Sequence, residues 1–290
     1  MKYLLAVDGS DQSLDATRAF EALTPADSLK ILHVVSVPGI PYPAMGADVA
    51  KDLAMTVESA MKEEGERALE QAESLLPLHP GSVSKQLDMG KPAECILKVA
   101  QDEDVDLVVM GARGLGRIQE QIFGSVSHQV MTHAYCSTFL VKQPIRQIKN
   151  ILIPIESQED SEAILAFFKK NPFRGSCAIT VLHVLPMVEP VWPVGAMIPE
   201  GFRKEMVSYA EKFTQVLCLE LEKLGHQAKG QAIQGAPSVT IVDEVNKTKP
   251  DLLVLRPQSH STVGQFFLGS VSHSVVHHTN TSILLVRSGT

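Results

Sequence analysis

The chain contains itself twice, and this constrains its fold more than any other feature. Residues 106–142 read DLVVMGARGLGRIQEQIFGSVSHQVMTHAYCSTFLVK, and 145 positions later residues 251–287 read DLLVLRPQSHSTVGQFFLGSVSHSVVHHTNTSILLVR. Asp106 pairs with Asp251, the run Gly124 to His128 with Gly269 to His273, and Leu140-Val141 with Leu285-Val286. A tandem duplication of 290 residues implies two domains of roughly 145, each long enough for its own core. The expected domains are 1–142 and 148–290, joined by the linker Gln143 to Gln147 around Pro144.

Short apolar runs alternate with helical patterns in each half. In the first, strands are predicted at Lys2–Val7, Ser28–Val35, Ser82–Leu87, Leu107–Met110 and Thr138–Val141. A first helix follows Asp8, capped near Ser10 or Asp11 and carrying Leu14, Ala16, Ala19, Phe20 and Leu23; a long one runs from about Asp48 to Leu76. Gly90-Lys91-Pro92 opens a further helix, where proline's missing N–H costs nothing. The second half predicts strands at Ile151–Ile155, Cys177–Leu185, Gln227–Ile233, Leu252–Leu255 and Ser282–Val286. Strands alternating with helices imply α/β domains. The expectation is two tandem doubly wound domains, each a five-stranded parallel sheet of order 3-2-1-4-5 with helices on both faces.

In such a sheet the connections leave strands 1 and 4 toward opposite edges, and ligands bind in the crevice at their carboxyl ends. Asp8 ends strand 1, and Gly111 follows strand 4. Gly111, Gly114 and Gly124 punctuate the loop, and Ser125 opens the next helix with Val126, Val130 and Met131 at helical spacing. A helix start carries unpaired backbone N–H groups and the positive end of the dipole. Glycines admit φ > 0 and close approach, and Ser125 sits where an N-cap would add a hydroxyl. These elements together suit an anion, most commonly a nucleotide phosphate, although glycines before a helix also serve plain surface turns.

The balance of charge narrows the field. Net charge is −7, against a nucleic-acid partner. Residues 1–145 hold 12 Lys+Arg against 20 Asp+Glu, and residues 146–290 hold 14 against 13. An anion site in the first half therefore rests on local backbone geometry, against the domain's overall field. Four cysteines without a C-x-x-C indicate neither zinc nor a disulfide framework, and no apolar run reaches membrane-spanning length. Asp8 interrupts the first apolar run too early for a signal-peptide core, so a cytoplasmic protein is expected.

Gly111-x2-Gly114-x9-Gly124-Ser125, with a strand-1 aspartate and a tandem layout, resembles the universal stress protein family over nearly the whole chain. The resemblance implies ATP as cofactor, with or without Mg²⁺: Asp8 at the ribose, Val35 near the adenine, and Gly111, Gly114, Gly124 and Ser125 at the phosphates. Arg113 is a candidate for added charge there, as is Arg117, and a solvated loop role suits both equally. The resemblance also implies a homodimer or an intramolecular pseudo-dimer; an unidentified protein partner is expected, and charge and the lack of a long apolar run argue against nucleic acid and membrane.

The second copy departs from the motif. Glu156 stands for Asp8, Ser157-Gln158 for Gly9-Ser10, Arg256 for Gly111 and Ser259 for Gly114, and Pro257 follows Arg256. A non-glycine at φ > 0 is costly and proline cannot adopt it, so this half is expected not to hold ATP in the same mode and to serve as a pseudo-dimer partner. Arg256 and the Gly269-Ser270 helix end leave another anion open. His33, His128 and His133 recur as His183, His273 and His278; their survival in the degenerate half points to packing or hydrogen bonding, with no catalytic or metal residue expected. The loop Val188–Pro199 with Trp192 mirrors Pro38–Met45, as a lid or an interface.

Without a Walker motif or a general-base constellation, the chain is expected to bind ATP as a stress-response regulator rather than as an enzyme. Slow Mg²⁺-dependent hydrolysis and a nucleotide-independent scaffold are the alternatives.

Overall fold

The computed structural model describes residues 1–37, 47–77, 81–112, 124–186, 200–257 and 268–287, with side chains from 51 and 205 onward in the helices that begin at 47 and 200. Pro38–Met45, Arg113, Gly114, Arg117, Val188–Pro199 and Ser259 lie outside them. The chain divides into two compact units, one of Met1–Glu21 and Pro25–Pro144, the other of Ala22–Thr24 and Ile145–Thr290.

In the first unit, strands β1 (Lys2–Val7), β2 (Ser28–Val35), β3 (Ser82–Met89), β4 (Leu107–Gly111) and β5 (Ser137–Val141) alternate with helices α1 (Asp11–Arg18), α2 (Ala47–Leu75), α3 (Pro92–Asp102) and α4 (Ser125–His133). The strands lie in the order β3-β2-β1-β4-β5, with every described neighbour parallel. The second unit repeats the scheme: β6 (Asn150–Pro154), α5 (Gln158–Phe168), β7 (Ala178–Leu185), α6 (Glu200–Lys223), β8 (Gln227–Gln234), α7 (Pro237–Thr248), β9 (Leu252–Leu255), α8 (Ser270–His278) and β10 (Ser282–Leu285). Its order is β8-β7-β6-β9-β10, again parallel. Both units thus have the expected order 3-2-1-4-5.

Burial explains the patterning. Every residue of β4 and of β9 is buried, as befits apolar strands covered on both faces by helices. The edge strands β3 and β8 alternate or stay exposed and carry Lys85, Gln86 and Lys229, which discourages further strand pairing. The repeated aspartates act as anchors at the opposite end from the crevice. Asp106 Oδ2 accepts the Lys2 N–H at 2.8 Å, and Asp251 Oδ2 accepts those of Lys149 and Asn150 at 2.9 and 2.8 Å. In each unit the strand-4 aspartate therefore sets the register of strand 1.

One element is shorter than its periodicity suggests. The apolar spacing through Phe20 and Leu23 reads as one helix, but α1 stops at Arg18 and a single 3₁₀ turn, Ala19–Glu21, follows. The tighter turn still buries Phe20, edge-on to Tyr3 at 5.7 Å. Among the described residues, no helix is long and apolar enough to cross a membrane.

Candidate functional site

In the first unit, β1 delivers Asp8 to the end of the sheet, half-buried. Its Oδ1 accepts both the Ser10 N–H at 3.0 Å and the Ser10 hydroxyl at 2.5 Å. Ser10 is the N-cap of α1 and accepts from the Ser13 N–H at 3.3 Å. Gly9 between them has φ +79°, a conformation side chains resist. The turn thus fixes one carboxylate oxygen, and Oδ2 has no partner among the described residues. Beside it, His33 Nδ1 lies 3.0 Å from the Val7 carbonyl, so that nitrogen carries the proton. Burial pushes the His33 pKa down, partly offset by the Val7 bond and the charges of Asp8 and Glu64.

Val35, expected beside a base, is 2% exposed, and its carbonyl accepts the Gly90 N–H at 3.0 Å. One carbonyl lone pair therefore already serves the turn into α3, and the second remains.

Gly111 ends β4, but its value is not the positive φ the loop argument anticipates. The first unit's described residues at positive φ are Gly9, Gly90 and Asp104, and Gly124 has φ −62°. Gly111 is required by proximity: a Cβ there would stand 2.8 Å from the carbonyl carbon and oxygen of Gln12, in the first turn of α1. The missing side chain lets α1 lie against the end of β4.

The N-cap of α4 is Gly124 rather than Ser125, which takes the first helical position, exposed and without a capping bond. The hydroxyl at work is that of Ser127, which the sequence does not single out because it stands three residues past the glycine; it donates toward the Ala112 and Gly124 carbonyls at 2.9 and 3.0 Å. The Gly124 N–H also reaches the Ala112 carbonyl at 3.2 Å, and the Ala112 N–H reaches Val141 O at 2.9 Å. The chain leaves the sheet at Ala112 and returns at Gly124 with its two ends clasped. Beyond the clasp, the first-turn N–H groups of α4 have no intrahelical partner. Asp8, Val35, Gly111, Gly124 and Ser125 thus lie on the elements that form the β1/β4 crevice, while Arg113 and Gly114 lie outside the described residues.

The second unit builds the same corner differently. The caps show that Ser157, the N-cap of α5, corresponds to Ser10, so the turn is one residue shorter and Gly9 has no counterpart. Ser157 accepts the Asp160 N–H at 3.2 Å, while Asp160 Oδ2 accepts the Glu156 and Ser157 N–H groups at 2.8 and 3.0 Å. This capping box was legible as Ser-x-x-Asp before an apolar run. The other oxygen of Asp160, buried with the rest of its side chain, accepts from Arg256 Nη1 at 3.0 Å, and Glu159 lies 3.6 Å from the same nitrogen. Arg256, expected to be available to an anion, is therefore answered from within the protein.

Next to this pair the β6/β9 crevice holds a half-open cavity of about 180 Å³. His183 lines it in the manner of His33, with Nδ1 2.9 Å from Ile155 O and its ring edge-on to Phe213 at 5.3 Å. The repeated histidine of strand 2 thus ties the end of strand 1 to strand 2 in both units, a structural role.

Comparison with known proteins agrees with this architecture. The universal stress protein family profile matches residues 1–142 and again 147–287. The universal stress protein YxiE of Bacillus subtilis is 32% identical over 151 residues, 49% of this chain and 98% of its own. The universal stress protein MJ0531 of Methanocaldococcus jannaschii is 26% identical over 146 residues, 50% of this chain and 84% of its own. A crystal structure of a universal stress protein from Archaeoglobus fulgidus superposes with a TM-score of 0.65 at 16% identity, covering 99% of this chain and 98% of that one. The chain belongs to the universal stress protein family, as a tandem member with two copies of its domain.

Proposed function

We propose that the protein is an ATP-binding regulator of the stress response, with the nucleotide held in the first unit at the β1/β4 crevice. The observation that carries this reading is the clasp from Ala112 to Gly124 and Ser127, which ends β4 and starts α4 beside Asp8. The proposed roles follow from chemistry. The unpaired N–H groups of α4 and the glycines of 111–124 take phosphate oxygens, with Arg113 adding charge. The outward oxygen of Asp8 accepts from ribose hydroxyls, and the main chain at Val35 borders the base. Mg²⁺ would accompany the phosphates and offset their charge in a unit that is itself acidic. The second unit takes no ATP in this mode, because Arg256 with its carboxylates, followed by Pro257, stands where the first unit has Gly111-Ala112 and the clasp. The proposed output is a change in contacts with a protein partner or a second copy of the chain, not turnover of the nucleotide.

Calorimetric titration of the full chain with Mg²⁺-ATP tests this, with Gly114→Val alongside. One site per chain, lost in the variant while its thermal unfolding is unchanged, is the expected result. Two sites per chain would overturn the assignment to the first unit alone. Heats absent at millimolar ATP, a binding free energy weaker than about −4 kcal/mol, would overturn nucleotide binding altogether.

A further inference from the structure

We infer that the β6/β9 crevice of the second unit is a binding site for a small, ring-sized molecule that carries no negative charge and presents a hydrogen-bonding head. The first support is volume. About 180 Å³ lies between the roughly 150 Å³ that accommodates benzene in an apolar cavity and the roughly 300–1,000 Å³ of sites for larger ligands. A single ring with a short substituent fills this volume.

The second support is an unused hydroxyl. Ser272, 8% exposed, lines the cavity, and among the described residues its hydroxyl has no hydrogen-bond partner. Its equivalent, Ser127, spends its hydroxyl on the Ala112 and Gly124 carbonyls. Pro257 stands at the Ala112 position in the second unit, and Ser272 instead faces the cavity with its hydrogen-bonding capacity intact. The hydroxyl is open to the cavity, so a ligand head replaces water there and keeps it hydrogen-bonded.

Charge decides the third property. The α8 N-terminus contributes roughly half a positive charge, and Arg256 a full one. The buried Asp160 cancels Arg256 at 3.0 Å, while Glu156 on the cavity lining and Glu159, 3.6 Å from Arg256, are exposed and screened. What remains is close to neutral or negative, so an anion gains little. Drawing Arg256 away would also strand Asp160 buried without a cation. Ile241, Leu255, Val271 and Pro237 supply the apolar walls.

The test uses the full chain with labelled methyl groups, read by NMR at Ile241 and Val271, and three matched probes: benzyl alcohol, benzylamine and benzoate. Saturable shifts are expected with the alcohol and the amine, with benzoate at least about tenfold weaker. Ser272→Ala should weaken the alcohol severalfold while leaving the ligand-free methyl spectrum in place. Val271→Trp should fill the cavity and abolish the shifts. Benzoate binding as tightly as the alcohol would overturn the inference, because Arg256 would then be open to anions. So would the absence of saturable shifts from all three probes up to about 10 mM. These readouts lie in the second unit, so their outcome is independent of whether the first unit holds ATP.

Discussion

Where strand 4 meets the first turn of the helix after strand 1, the two units solve one packing problem in opposite ways. The first removes the side chain: Gly111 has no Cβ, and the backbone of Gln12 lies against it. The second keeps a long side chain and gives it a purpose, with Arg256 reaching Asp160 in the first turn of α5. The strand order is identical and the corner is not. Duplication therefore preserved the scaffold, while the first unit's corner is closed by backbone against backbone and the second's is bridged by an ion pair. A shorter turn, lacking Gly9, accompanies the second arrangement and lets Asp160 cap the helix and hold Arg256 at once.

The largest expected test of this contrast is Gly111→Val. Two Gln12 atoms lie 2.8 Å from the added Cβ, so α1 or β4 must shift, at about 3 kcal/mol of stability in the first unit. Urea unfolding monitored by hydrogen exchange of the β4 amides reads this; unchanged β4 protection would mean that proximity is not why the residue is glycine.

Next comes Arg256→Gln, expected to cost the second unit about 2 kcal/mol by leaving a buried carboxylate without its cation. Adding Asp160→Asn should return a measurable part of that loss. A double-mutant cycle on denaturant midpoints supplies the coupling energy, and a value near zero would reduce the pair to a bystander.

The smallest and sharpest contrast compares the matched serines. Ser127→Ala removes a buried donor from two carbonyls and should cost about 1 kcal/mol, whereas Ser272→Ala should leave stability nearly unchanged. Equal losses at the two positions, measured by thermal unfolding, would contradict the different duties assigned to them.

Much of the fold was legible because its signals are local. β1, β2 and β9 have the bounds their apolar runs suggest, and Ser10 caps α1. The strand order was expected from the alternation of strands and helices taken as a doubly wound sheet. The site was legible in its location rather than its mechanics. Gly111 was readable as a required glycine, but the reason, a neighbour 99 positions earlier in sequence, is a long-range contact that spacing does not encode. The same holds for Arg256, whose partner Asp160 is 96 positions away. Ser125 and Ser127 were distinguishable only once the helix phase was set, since a one-residue shift of the cap moves the useful hydroxyl. Pairing Ser157 with Gly9 failed because a deletion inside a four-residue turn leaves no imprint on the flanking periodicity.

The clasp between Ala112 and Gly124 also bears on how such a protein can change over evolutionary time. Because the two feet of the intervening segment are already joined, that segment's length is insulated from the sheet. Closing a longer excursion between fixed feet costs only about 0.6 kcal/mol per doubling. Residues 113–123 can therefore be rewritten, lengthened or shortened without reopening β4 or α4. New specificity at this corner can be sampled within one loop.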